Sequence, residues 1–270
     1  CCTVSLYMDD LVGYQGVEGS YSSVAVSEYF PACVRAGYPT FDDVVRALQK
    51  GDVQYAMLPI ENSTAGRVAD LHHLLPNSGL HVIGEHFVPI HHALIGVETS
   101  SLEAITHAFS HREALAQCVH TLRSFKITPV PFGDTAGAVA HIADENNPAF
   151  AAIASEHAAL LYPGTKVIKS NLEDDPKNVT RFLVFSKKPV TTPSKQECLT
   201  SIVYDVLDSP AALYDSLGAF ARHSVNIIKL ESFVPMCRHR DAHFYLECVG
   251  DARYSPLKEA LEELKSLTKH

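Results

Sequence analysis

Short apolar runs alternate with amphipathic stretches over the first two-thirds of the chain. Leu11-Val12-Gly13-Tyr14-Gln15 reads as a strand, and a helix opens near Ser20, just past Gly16. Phe41 to Lys50 reads as a helix with Val44, Val45 and Leu48 on its apolar face. Tyr55 to Ile60 reads as a buried strand, and His81 to Phe87 and Ala93 to Val97 as further strands. The clearest helix is Arg112 to Phe125, where Leu115, Cys118, Val119, Leu122 and Phe125 form one stripe. Thr135 to Asp144 reads as a helix capped by Asp134, and Ala149 to Ser155 and Arg181 to Ser186 as apolar strands. This alternation predicts an α/β domain with mostly parallel strands.

Lys187 to Gln196 is polar and holds two prolines, which predicts a linker. Beyond it the order is strand 200–207, helix 211–223, strands 227–234 and 243–249, and helix 255–268. That is βαββα. An open βαββαβ sheet needs one more strand, so the chain is expected to stop short of its native C-terminus.

With 270 residues, the chain has room for one large or two smaller domains. Lys and Arg number 22 against 31 Asp and Glu, a net charge of −9 with no basic run. Nucleic acid is therefore an unfavourable partner. No apolar run approaches the ~18 residues of a membrane span. The seven scattered cysteines suit reduced thiols and a cytoplasmic setting. The chain opens on Cys1, so a native start is expected to be missing; a plastid setting follows if a transit peptide belongs there. The 15 histidines show no metal-ligand spacing, and no P-loop, G-x-S-x-G elbow or H-E-x-x-H is present.

Polar clusters sit where strands end and helices begin. Gly16 to Ser22 (GVEGSYS) suits either an anion at a helix N-terminus or a plain tight turn. Glu61, Asn62 and Ser63 follow a buried strand, where α/β sheets place ligands and where polar loops also form caps. His111 near a helix start is a proton-transfer candidate or a solvated side chain. Asp134-Thr135-Ala136-Gly137 is a cap that also suits carboxylate binding. Arg181 enters an apolar strand, which calls for a partner: a substrate carboxylate, or one of Glu173, Asp174 and Asp175. Residue types and spacing alone lead to a small-anion-binding α/β protein.

GVEGSYS (16–22), PIENS (59–63) with Gly66, SHREALAQC (110–118), DTAGAV (134–139), AIAS (152–155) and NVTRF (178–182) together resemble the prephenate dehydratase family. The remaining third resembles an ACT domain, with Pro210 to Tyr214 similar to the family's G-A-L-Y effector motif and Glu231 to Val234 to its E-S-R-P motif. The resemblance implies a two-lobed catalytic domain like a type II periplasmic binding protein (11–187), a linker (188–197) and an ACT domain (198–270) lacking its last strand. Lobe one is expected to take residues 11–87 plus a return near 167–187.

The implied reaction converts prephenate to phenylpyruvate, with loss of water and carbon dioxide and without a cofactor. Arogenate dehydration is the close alternative, and a catalytically silent amino-acid sensor a more distant one. The resemblance makes Thr180, Arg181 and Glu61 catalytic candidates: Thr180 as donor to the leaving hydroxyl, Arg181 as carboxylate anchor or equally as the residue that positions Thr180, and Glu61, Asn62 or Ser63 in the supporting network. Ser20, Asn62, Ser63, His111, Gln117, Thr135, Ser155, Asn178 and Phe182 are its substrate contacts. Ala211, Ala212, Leu213, Glu231 and Ser232 are its effector contacts, for L-phenylalanine, in a homodimer or homotetramer. Arg112-Glu113 replaces the family's Pro-Gln, and Phe233-Val234 its Arg-Pro, which predicts an altered contact near His111 and altered feedback.

Overall fold

The structure, a computed structural model, describes residues 10–75, 78–189, 198–206, 209–233 and 243–268. The chain divides after residue 190 into two compact units. Most of the expected linker lies outside the described residues, as does Val234. No helix among the described residues is long and apolar enough to cross a membrane.

Unit 1 contains two sheets. The first is built from β1 (Leu11–Gln15), β2 (Val34–Tyr38), β3 (Tyr55–Asn62), β4 (Gly66–Arg67), β5 (His81–Pro89) and, much later, β11 (Val179–Ser186), with helices α1 (Tyr21–Tyr29), α2 (Phe41–Lys50) and α3 (Ala69–Leu74). Its order is β2-β1-β3-β11-β5, with β4 paired to β3. The second sheet is built from β6 (Ala93–Val97), β7 (His107–Ser110), β8 (Thr128–Pro131), β9 (Phe150–Ala154) and β10 (Thr165–Lys169), with α4 (Arg112–Ala116), α5 (Val119–Ser124), α6 (Thr135–Glu145) and α7 (Glu156–Leu161). Its order is β10-β6-β9-β7-β8.

Apolar faces explain the layering. Val12, Met57, Phe182 and Val184 pack with Val26 of α1 and Phe30 at its C-terminal cap on one face of the first sheet. Ala56, Leu58, Leu183 and Phe185 pack with Val44, Val45 and Leu48 of α2 on the other. Strands buried on both sides read as continuous apolar runs, as β11 does. Helix ends follow local chemistry: Thr40 caps α2 by accepting the Asp43 N–H, and Gly51 closes it in the left-handed region.

Three expectations need correction. The sheets are mixed, because β11 runs antiparallel to both β3 and β5, and β9 and β10 antiparallel to β6. β10 belongs to the second sheet, so the return to lobe one begins at β11 and not near residue 167. The helix expected over 112–125 breaks at Gln117 and Cys118: the Asp174 N–H donates to Gln117 O at 2.7 Å, and the Asp174 carboxylate takes the His120 and Thr121 N–H groups. A side chain from a distant segment thus supplies the second helix's missing cap.

Unit 2 comprises β12 (Leu199–Asp205), α8 (Ala212–Arg222), β13 (Ile227–Phe233), β14 (His243–Val249) and α9 (Leu257–Leu267). The strands form an antiparallel sheet in the order β12-β14-β13, with Phe220, Phe244, Leu246, Cys248 and Leu264 in its core. Thr268 bridges Val206, just past the end of β12, in antiparallel fashion. Ala211, before α8, sits at φ +67 and gives no side-chain cap. An L side chain with a Cβ is strained there by about 1–2 kcal/mol, partly offset by the entropy glycine loses on folding. Ala211→Gly is therefore expected to stabilise unit 2 by about 1 kcal/mol, read as a higher midpoint in urea unfolding; an unchanged or lower midpoint would contradict this.

Candidate functional site

Strand and helix ends from both sheets of unit 1 enclose a cavity of about 610 Å³, within the range of small-ligand sites. Ser20 and Tyr21 at the start of α1, Asn62 at the end of β3, His111 and Gln117 flanking α4, and Thr135 opening α6 all line it. Thr180 and Phe182 of β11 form its floor. Phe182 is 1% exposed and gives that floor an apolar patch beside Ile90.

Arg181 does not line the cleft, although the sequence suggests it as the anchor. Strand side chains alternate, so the residue between Thr180 and Phe182 leaves by the opposite face. There its Nε donates to Glu85 Oε2 at 2.8 Å, and its guanidinium reaches Glu61 Oε1 at 3.4 Å. Arg181 is 8% exposed, and burial of such a charge requires this pairing. Its partners are Glu61 and Glu85, not Glu173 to Asp175. Glu61 is drawn out of the cleft with it.

The polarity of the cleft's hydrogen bonds follows from the backbone outward. Asn62 Oδ1 accepts the N–H groups of Thr64 (2.9 Å) and Ala65 (2.8 Å). Its Nδ2 is therefore the donor to Thr180 Oγ1 (2.9 Å) and Asn178 Oδ1 (2.7 Å). A hydroxyl that accepts keeps its own proton for another partner. Asn178 is 1% exposed, so it braces the cleft wall from behind. Its Nδ2 donates to Gln117 Oε1 at 2.9 Å. The same oxygen faces His92 Nε2 at 2.8 Å, which makes that nitrogen a donor. Burial pushes the His92 pKa below the ordinary imidazole value, and the Tyr21 hydroxyl lies 2.8 Å from both Nδ1 and the His91 carbonyl oxygen, which share its one proton.

The chain crosses between the sheets twice, at residues 90–92 and 170–178. Glu173 clasps the two crossings: Oε1 meets His91 Nδ1 and Oε2 accepts the His92 N–H, both at 2.8 Å. Burial raises the Glu173 pKa, but the hydrogen bonds from His91 and the His92 backbone outweigh it and hold it below the usual range. Asp174 is lowered in the same way, burial opposing and the His120 and Thr121 N–H groups prevailing. A carboxylate with a depressed folded pKa stabilises fully above its unfolded value and loses that as pH falls through the folded one. Acidification below about pH 4.5 should thus loosen unit 1. Glu173→Gln is expected to lower stability at pH 7 by about 1.5–3 kcal/mol and to flatten the acid limb of the stability profile. Urea titrations at pH 7 and pH 3.5 check both; equal pH sensitivity in the variant and the native chain would refute it.

Ser20 and Asp134 cap their helices, accepting from Ser23 N and Gly137 N. His111 caps α4, its Nδ1 accepting the Glu113 N–H at 3.4 Å. Ser63 and Ser155 do not line the cleft. Ser63 ties the β3–β4 turn to Val179 N (2.9 Å), and Ser155 Oγ donates to Gly19 O (2.9 Å). That bond joins the two lobes where Gly19, at φ +87, has no room for a Cβ beside Leu161 and Ala158. Sequence reasoning missed Arg67, the sole Lys or Arg among the described lining residues, and also His92 and Tyr21. The acidic lining residues are Asp70, Glu113 and Asp134.

Residues 12–190 match the family described as prephenate dehydratase. The bifunctional N-acyl-homoserine lactone acylase/prephenate dehydratase of Komagataeibacter europaeus is 34% identical, over 94% of this chain and 90% of that protein. The chloroplastic arogenate dehydratase/prephenate dehydratase 2 of Arabidopsis thaliana is 36% identical over 84% of this chain, which spans about three-fifths (59%) of that relative's length. The crystal structure of prephenate dehydratase in complex with L-Phe from Arthrobacter aurescens matches with a TM-score of 0.86 and 28% identity, over 96% of this chain and 86% of that one. The two sheets with a cleft between them, and these likenesses over nearly the whole length, lead to one conclusion: the chain belongs to the prephenate dehydratase family, hydro-lyases of phenylalanine biosynthesis.

Proposed function

We propose that the cleft binds prephenate and converts it to phenylpyruvate, water and carbon dioxide, with Thr180 as the donor to the departing hydroxyl. The carrying observation is the Asn62 Nδ2 to Thr180 Oγ1 bond of 2.9 Å, which occupies Thr180 as an acceptor and turns its proton to the cleft. As the ring C–O bond breaks, its electron pair leaves on oxygen, and a preorganised donor stabilises that charge. The bond to the ring carboxylate breaks in concert, its electrons enter the ring, and carbon dioxide leaves. A threonine hydroxyl is too weak an acid to complete the water molecule alone. His111 accepts on Nδ1 and so carries its ring proton on Nε2, which suits it as a further hydrogen-bond donor to the departing oxygen, while the proton that completes the water molecule is drawn from solvent.

Phe182 and Ile90 suit the ring carboxylate, since loss of charge as carbon dioxide is favoured beside apolar surface. Arg67, with the Gln117 amide and the N-terminus of α6 at Thr135, suits the side-chain carboxylate. Incubation with prephenate at neutral pH should yield phenylpyruvate; no acceleration over buffer overturns the assignment. Arogenate is the second reading, favoured by the Arabidopsis relative and by Asp70 and Glu113, which suit its ammonium group. The ratio of kcat/KM for the two substrates separates them. The acylase activity named for the Komagataeibacter relative has no built nucleophile in this cleft: among the described residues, no lining Ser or Thr is hydrogen-bonded to a histidine.

Unit 2 acts in this proposal as an ACT domain that binds L-phenylalanine in a homodimer or homotetramer. Its βαββα order and the Arthrobacter structure with L-Phe support this. Ala211, Ala212 and Leu213 open α8, while Glu231 and Ser232 lie on the edge strand β13, Glu231 within 3.2 Å of Lys229. Saturating phenylalanine should lower activity or change the sedimentation coefficient. Unchanged kinetics and sedimentation reject the effector role.

A further inference from the structure

We propose that His92 is a positioning residue: its Nε2–H fixes the amide face of Gln117 so that Gln117 presents N–H donors, not its oxygen, to the bound substrate. The inference rests on the prephenate reading and adds to it a residue that neither the fold nor the motifs single out.

Three observations carry it. First, the His92 ring is held from every side. His92 is 2% exposed; its backbone N–H donates to Glu173 Oε2 and its carbonyl accepts the Leu172 N–H, both at 2.8 Å. Tyr21 meets the ring edge-on, with 5.5 Å between centroids, and its hydroxyl lies 2.8 Å from Nδ1. Second, both donors that reach the Gln117 amide converge on one atom: His92 Nε2 (2.8 Å) and Asn178 Nδ2 (2.9 Å) meet Oε1. Oε1 is thereby saturated, and Nε2 keeps both protons at a residue that lines the cleft. A carboxylate substrate is repelled by an amide oxygen and held by an amide N–H, so the face shown decides the sign of the contact. Third, the Gln117 backbone is also fixed, because its carbonyl accepts the Asp174 N–H at 2.7 Å. The side-chain amide is the one part left to orient, and His92 orients it. Asn178 then carries the order on to Asn62 and Thr180, so substrate binding and the leaving-group donor share one hydrogen-bonded frame.

The two nitrogens of the ring separate by isostere. A glutamine side chain reaches the Nε2 position, whereas an asparagine reaches only as far as Nδ1. His92→Gln should restore the donor to Gln117 and keep kcat/KM for prephenate within about threefold of the native chain. His92→Asn keeps a partner for Tyr21 but loses Gln117, and should lower kcat/KM about tenfold or more, mostly through KM. In a Gln117→Ala background the His92→Asn effect should shrink to less than about twofold, since the two residues act as one unit. Independently of any variant's folding, ¹⁵N-histidine NMR of the native chain, with the His92 signal assigned from the His92→Gln spectrum, should show the Nε2–H tautomer at neutral pH. Equal kinetics for the Asn and Gln variants, an additive double mutant, or an Nδ1–H tautomer overturns the inference while the dehydratase reading stands. A native chain that turns over neither prephenate nor arogenate overturns both.

Discussion

Thr180→Ala is expected to lower kcat for prephenate by about 10²–10⁴-fold, with KM changed little, while Thr180→Ser retains most of the activity. The direction follows from when the hydrogen bond matters. In the bound substrate the ring hydroxyl is neutral and the Thr180 proton adds little; as the C–O bond breaks, charge grows on that oxygen and the same proton is worth far more. An interaction made in the transition state and not in the ground state appears in kcat. The serine variant keeps the oxygen that accepts from Asn62 Nδ2, so its proton still has the cleft as its outlet. Asn62→Ala should lower kcat in the same direction, because without Nδ2 the hydroxyl rotates freely. Asn62→Asp separates orientation from mere presence: a carboxylate there accepts the Thr180 proton and turns it away from substrate, so it is expected to be worse than alanine. Steady-state kinetics with matched thermal melts decide the order. Alanine at position 180 within threefold of native kcat would remove Thr180 from the reaction.

The parts of this molecule that were legible in its sequence share a physical cause. β3, β6, β9 and β11 are buried on both faces, and their apolar runs announce them. β2 (VRAGY) lies mostly exposed at the sheet edge and carries no such run. Strand direction is invisible in period-two patterning, so the antiparallel return of β11 could not be read from it. The break between α4 and α5 is made by Asp174, 54 residues beyond His120, and local spacing carries no trace of it. In the cleft, Asn62, Gln117, Thr135 and Thr180 stand at element ends, where polar residues mark themselves. His92 and Tyr21 are 71 residues apart and become a pair through folding alone. Arg181 was a different matter: if Thr180 and Phe182 face one way on a strand, residue 181 faces the other, and alternation alone excluded it from the cleft.

Arg67 and Arg181 should therefore fail in different ways when changed. Arg67→Ala is expected to raise KM for prephenate about 10–100-fold, the worth of one charge-assisted hydrogen bond, with kcat within threefold and stability unchanged. Arg67 is exposed on the two-residue strand β4 at the cleft, so solvent screens whatever pairing it makes and its loss costs the fold little. Lysine there should recover part of the loss, since charge survives but the planar fork does not. Arg181→Met acts on the other face of the sheet. It strips Glu85 and Glu61 of a partner at 2.8 and 3.4 Å, and both carboxylates are already about one-third exposed. The full 3–5 kcal/mol of a broken buried pair is thus reduced by solvent, to roughly 1–3 kcal/mol of lost stability. Because Arg181 flanks Thr180, kcat is expected to fall as well, while KM stays near its native value. Had Arg181 been the carboxylate anchor, its removal would raise KM and spare the fold. The pair of KM values, set beside two urea midpoints, assigns the anchor: a large KM change at Arg181 with none at Arg67 would return the role to the residue the sequence first suggested.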